Sequence, residues 1–184
     1  MNITKVKKLL STGYWSDFYI YPLASIIFFI YGSELLNFNL KIIIVLFLIG
    51  IILGSFLEYF IHRVLFHHCP IFKQLHQLHH DKPIELIGSP TYVSLPVYTI
   101  CVFVPLCFIS KLAYACVIFS AFLFDLLFYF IIHHIIHHVR TKKGSILHWY
   151  KKYHATHHKN PNVNFSVAFP IWDIVFRTKG KQKD

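Results

Sequence analysis

Charge is what this chain has little of. Only 14% of its 184 residues are charged, against roughly a quarter in soluble domains. By contrast, 55% are hydrophobic, with 19 Phe and 11 Tyr. So little polar surface argues against a soluble helical bundle and for lipid as part of the solvent. Cysteine is also sparse. Cys69, Cys101, Cys107 and Cys116 show no paired metal-ligand spacing and give no case for a disulfide scaffold. The last three lie in apolar runs, where Cys behaves as a small buried hydrophobe. The opening stretch MNITKVKKLLSTGYW lacks the apolar core and small-residue cleavage site of a signal peptide. It reads as a cytosolic headpiece ahead of a first membrane anchor.

What is present is apolar sequence in four blocks. Segments 18–36, 42–61, 92–110 and 112–132 each approach the ~20 residues needed to cross ~30 Å of hydrocarbon. Pro22, Pro96 and Pro105 lie inside them, which membrane helices tolerate when neighbours satisfy the freed carbonyls. Short links at 37–41 and near Lys111 pair the spans into two hairpins. The fold class expected is therefore all-α and integral to a membrane: one domain over 1–184, with four transmembrane helices in two hairpins and a cytosolic histidine-rich helical cap.

An even number of spans places the N-terminus, the central loop and the C-terminal segment on one side. Of the 18 Lys and Arg, all but Lys41 and Lys111 fall on that side, which the positive-inside rule makes cytosolic. A formal net charge of +10 would ordinarily raise nucleic acid as a partner. Here the basic residues border apolar runs, so anionic lipid headgroups are the simpler counter-surface, and no nucleic-acid partner is expected.

The chain carries 14 histidines, and all except His148 fall in four bursts. His62 and His67 sit at the end of the second span, an i,i+5 pair that an ideal helix does not align. They can share a cavity if the helix ends or bends between them. HQLHH places His76, His79 and His80 on one helical face, and HATHH repeats that face with His154, His157 and His158. HHIIHH offers two i,i+4 pairs, His133 with His137 and His134 with His138. The hairpins carry all four bursts to one membrane face. Imidazole binds iron, zinc, nickel and copper well. About ten histidines exceed the three or four protein ligands of an ordinary zinc site, which points to two metals. His68, His138 and His148 are expected to lie outside the ligand set. A storage tract, a metal transporter or a proton pathway are the competing readings. None of them calls for two spaced HxxHH units.

These motifs resemble the fatty acid hydroxylase superfamily, also called the sterol desaturase family. HRVLFH resembles its first histidine box, HQLHH the second, HHIIH the less regular third and HATHH the last. EYFIHR, HHDKP and NFSVAFPIWDIVFRT resemble the flanking sequence over residues 50 to 178. NFSV stands where a glycine often follows Asn-Phe in the family, and VFRT where Phe-Gly-Thr is common.

The resemblance implies a membrane non-haem enzyme with two irons that uses O2 to hydroxylate an unactivated C–H bond of a lipid, whether fatty acyl, sterol or carotenoid. A desaturase is the nearest alternative. It implies His62, His67, His76, His79, His80, His133, His137, His154, His157 and His158 as metal ligands, and it leaves open whether His134 and His138 replace His133 and His137. Glu58, Asp81 and Asn164 are candidates to orient those ligands. Electrons are expected from a separate donor, whether cytochrome b5-like, ferredoxin-like or a reductase, with Lys142, Lys143, Lys151 and Lys152 as a docking patch for it or for anionic lipid. Asp125, deep in the fourth span, is expected to be paired, neutral or channel-facing, since an unpaired buried charge is costly. The stretch WDIVF is expected to close the roof of the chamber, with Trp172 packed at the interface.

Overall fold

The computed structural model describes residues 13–88 and 90–181, and its described residues are all helix, turn and loop. After a 3-10 turn at Tyr14–Ser16 come α1 (Asp17–Leu35), α2 (Leu40–Phe60) and α3 (Pro70–Asp81). Then follow α4 (Thr91–Tyr98), α5 (Val104–Ile109), α6 (Leu112–His138), α7 (Ile146–Lys159) and α8 (Ile171–Val175). Four helical stretches are long and apolar enough to cross a membrane: Tyr14–Leu35, Leu40–Phe66, Thr91–Ile109 and Leu112–His138. They overlap the four expected spans. Two of them run further, because α2 passes into a wide π-helical turn at Ile61–Phe66 and α6 continues to His138.

The first hairpin turns on Asn37 and Phe38, both left-handed at φ 49° and 52°. Phe38 N–H reaches back to the Ser33 carbonyl at 2.9 Å, which satisfies a carbonyl the helix end would otherwise leave free. The third apolar stretch is interrupted by a second π turn, Thr99–Phe103. It precedes Pro105, whose ring clashes with the carbonyl four residues back in a regular helix, and a widened turn relieves that clash.

Contacts divide the described residues into two compact units: residues up to Gly54 with Leu86–Leu127, and Ser55–Glu85 with Phe128 onward. In the first, Ile43, Leu46, Val117 and Ile118 form a buried cluster flanked by Phe29, Phe47 and Leu106. Gly50 and Gly54 let α2 approach α6 closely. A Cβ on Gly50 would collide with the Ile118 carbonyl, and one on Gly54 would lie 2.6 Å from Asp125 Oδ2. Asp125 is fully buried, and neither carboxylate oxygen has a hydrogen-bond partner among the described residues. Of the three states expected for it, pairing is not the one found.

The second unit packs Ile132, Ile136 and Val167 against Phe128, Tyr129, Leu147 and Tyr150. That cluster joins the end of α6, α7 and the segment before α8. The second unit also contains all four histidine bursts.

Candidate metal centre

The site is assembled from four helical pieces. The π turn solves the spacing of the first pair. Its hydrogen bonds span five residues, so His62 and His67 come to one side, with ring centroids 5.1 Å apart. On α3, Pro70 occupies the first turn, where its missing N–H costs nothing. On α7, the Ser145 side chain caps the helix by accepting from His148 N–H at 3.2 Å. α6 ends in the third burst.

Nine imidazoles converge into two groups. His62, His67, His76, His80 and His157 form the first; His79, His137, His154 and His158 form the second. Within each group the candidate ligand nitrogens lie within 4.8 Å of one another. His133 borders the second group, its Nε2 3.2 Å from His79 Nε2 and its ring 4.6 Å from that of His137. His134 stacks on His138 at 4.7 Å instead. His68 is exposed with its Nδ1 on the Arg63 carbonyl, and His148 pairs with Thr141 Oγ1.

The two HxxHH units therefore do not each serve one centre. The i,i+4 pair His76 and His80 enters the first group while His79 enters the second, and His154 with His158 enters the second while His157 enters the first. Each group thus combines an i,i+4 pair from one box with the odd histidine of the other; the first adds His62 and His67, the second His137 with His133 at its border. His62 and His67, in and just after the π turn that ends the second apolar stretch, answer His133 and His137 at the end of α6.

The donor set fits a metal. Nε2 atoms face each other at 3.0 Å for His62 and His76, 3.1 Å for His76 and His80, and 3.1 Å for His67 and His157. In the second group His154 and His158 stand at 3.0 Å. Two nitrogens ~2.1 Å from one ion and at right angles would lie about 3 Å apart. Burial holds these imidazoles neutral, the form that ligates. His67 and His158 are lowered to about 4 and His157 to about 3. His79 is lowered to about 2, and His76 and His154 are displaced in the same direction. Loss of hydration comes first in each case, with repulsion from neighbouring imidazoles adding to it.

Outer contacts set the tautomers of two rings in the first group. His62 Nδ1–H donates to the Phe165 carbonyl, and His157 Nδ1–H donates to the Val163 carbonyl at 2.8 Å. Each leaves an Nε2 lone pair aimed inward. The Phe165 ring covers this group, 5.5 Å from His67 and 5.6 Å from His157.

The three candidate orienting residues separate. Glu58 is buried and accepts from Val167 N–H at 2.6 Å, so it reaches the histidines through the segment that touches His62. Asn164 is buried, donates to the Tyr153 carbonyl at 3.0 Å and accepts from Gly180 N–H at 2.7 Å. Asp81 is exposed and accepts from Gln77 at 2.8 Å; its charge partly offsets the burial that lowers His80.

Trp172 donates to Ser55 Oγ at 3.1 Å and packs on Phe56. Among the four candidate docking lysines, Lys151 is tied to the Val139 carbonyl, while Lys142, Lys143 and Lys152 are exposed. Sequence reasoning missed Asp173. It is fully buried and accepts from Phe165 and Ser166 N–H, Tyr153 O–H and Thr178 O–H. Burial and this carboxylate raise the Tyr153 phenol, which stays a donor. The signal available was an acid set within the apolar run IWDIVF.

Known proteins place this arrangement. The family model for fatty acid hydroxylases matches residues 47–178. The rat (Rattus norvegicus) fatty acid 2-hydroxylase is 30% identical over 151 residues, covering 75% of this chain and 40% of the rat protein. The ceramide very long chain fatty acid hydroxylase SCS7 of Saccharomyces cerevisiae is 30% identical over 192 residues, covering 94% of this chain and 47% of the yeast protein. The chain thus spans less than half the length of these relatives. A solved structure of full-length scs7p, in which only the hydroxylase domain is visible, superposes with a TM-score of 0.83 at 23% identity. It covers 96% of this chain and 70% of that one, and it shows the same fold. With four apolar helices, two imidazole groups and a family match across most of its length, this chain belongs to the fatty acid hydroxylase family.

Proposed function

We propose that this protein is an integral-membrane, O2-dependent monooxygenase that hydroxylates an unactivated C–H bond of a fatty acyl chain, using two irons. The observation that carries the reading is the pair of interleaved, buried imidazole groups in a chain of this family. The similar proteins from rat and yeast are named for fatty acid hydroxylation, which favours an acyl chain over a sterol or carotenoid ring. His62, His67, His76, His80 and His157 would hold one iron, and His79, His133, His137, His154 and His158 the other. When bound, the irons supply reductive activation of O2, so that R–H, O2, two electrons and two protons give R–OH and water.

The protein's own residues supply position and exclusion. Neutral imidazoles present their lone pairs at physiological pH. The carbonyls of Phe165 and Val163 fix the rings of His62 and His157. Phe66, stacked on His76 at 5.1 Å, and Phe165 keep water from the first group, and a water-poor site strengthens every electrostatic contact inside it. The electrons come from a separate donor, for which the exposed Lys142, Lys143 and Lys152 offer a basic contact. The histidines and both termini face the cytosol.

The test compares lipid extracts from cells with and without the protein, supplied with iron and a competent reductase. A fatty acyl species heavier by one oxygen is expected, together with about two irons per purified chain. A species lighter by two hydrogens would instead make the protein a desaturase. Unchanged lipids alongside metal uptake by the cells would favour a transporter.

A further inference from the structure

Residues 164–168 have no helix or strand to satisfy their backbone, yet every N–H in the stretch is engaged. Asn164 N–H goes to the Thr178 carbonyl at 2.9 Å. Phe165 and Ser166 N–H go to the two oxygens of Asp173 at 2.9 and 2.8 Å. Val167 N–H goes to Glu58 at 2.6 Å, and Ala168 N–H to the same carboxylate at 3.3 Å. Two buried carboxylates thus take four successive N–H groups. Hydrogen bonds to an ionised acceptor are shorter and about twice as strong as neutral ones.

Asp173 is held in turn by the Tyr153 hydroxyl at 2.9 Å and the Thr178 hydroxyl at 2.7 Å. Its own carbonyl closes the chain after α8 by accepting from Thr178 and Lys179 N–H. With its donors turned to the carboxylates, the segment directs the Phe165 carbonyl at His62 Nδ1. The Val163 carbonyl, one residue before the clamp, meets His157 Nδ1.

The second imidazole group is less supported. His154 is 1% exposed, yet its Nδ1 has no partner among the described residues, and His158 has a backbone contact only with its neighbour in the other box, His80.

We propose that Asp173, with Glu58, is the positioning device of the first imidazole group alone, so that the two metal sites are unequal: the first clamped and slow to exchange, the second loose. The inference rests on the metal-centre reading above. Removing the outer support of a metal-ligating histidine costs roughly 10- to 100-fold in metal affinity. Asp173→Asn keeps the shape but turns an NH2 toward donors, so it should impose that loss on the first site and spare the second.

The experiment strips the full-length chain in detergent and titrates it with cobalt(II) against a competing chelator. His154→Ala and His67→Ala backgrounds isolate the first and the second site respectively. The expected result is two ions per wild-type chain, the more weakly held one lost in His154→Ala. Asp173→Asn should then weaken binding 10- to 100-fold in the His154→Ala background and leave it unchanged in the His67→Ala background. Glu58→Gln, which keeps one acceptor for Val167, should give the same site-selective loss in milder form and serves if Asp173→Asn does not fold. Equal weakening at both sites, or none at the first, would overturn the inference while leaving a two-metal centre standing. A wild-type chain that takes up no metal would overturn the metal-centre reading itself.

Discussion

Asn164 holds a left-handed backbone at φ 55°, a conformation that Asn accepts more readily than most residues. Its side chain bridges the Tyr153 carbonyl and the Gly180 N–H, so one residue ties α7 to the chain beyond α8. Asn164→Ala keeps the unfavourable φ and leaves a buried carbonyl without its donor. Each unsatisfied buried group costs ~1–3 kcal/mol. The variant should therefore melt well below wild type in detergent, and Asn164→Gly, free of the φ penalty, should lie between them. A circular-dichroism melt of the three proteins checks the order. At this scale the sequence named Asn164 and Glu58 but could not say what they touch. Their partners are backbone groups of Tyr153, Gly180, Val167 and Ala168, and every residue offers such groups, so none is marked in a sequence. Asp173 went unnamed for the same reason.

At the scale of elements, the HxxHH spacing delivers three imidazoles to one face of a helix, and that face straddles two centres. Adjacent histidines therefore fall in different groups and, in the proposed reading, would hold different metals. His80→Ala should empty or weaken the first site and His79→Ala the second. His157→Ala and His158→Ala should repeat the contrast on α7. Metal analysis of the single variants should show partial loss, and the His79→Ala, His80→Ala double variant should lose both ions. Equal metal content in all four single variants would contradict the division of the boxes. The i,i+5 pair of the first burst shows what spacing alone leaves open. Whether His62 and His67 meet depends on the π turn at Ile61–Phe66, and local propensity does not specify a widened turn.

For the whole molecule, the proposed topology joins the four apolar helices to the distribution of Lys and Arg and puts the histidines on the cytosolic side. The turn around Asn37 to Asn39 then faces the opposite compartment. A glycosylation acceptor inserted in that turn, with enough spacer to reach the transferase, should be modified. The same acceptor appended after Asp184 should not. A gel-mobility shift reversed by glycosidase reads both, and modification of the C-terminal acceptor would sink the topology.

The sequence by itself determined the helical, membrane-spanning class, because a bilayer demands long apolar runs with their backbone bonds closed internally. It also determined which four histidine bursts carry the resemblance, because the two HxxHH units each set three imidazoles on one helical face. Tertiary structure alone decided how those histidines divide, that His133 and His137 rather than His134 and His138 stand at the second group, and that Asp173 anchors the segment behind the first. The physical reason is reach. Periodicity says which side chains share a face, while a metal group forms only where faces of four separate helices point their nitrogens at one spot, and where backbone carbonyls from a distant segment hold those rings still.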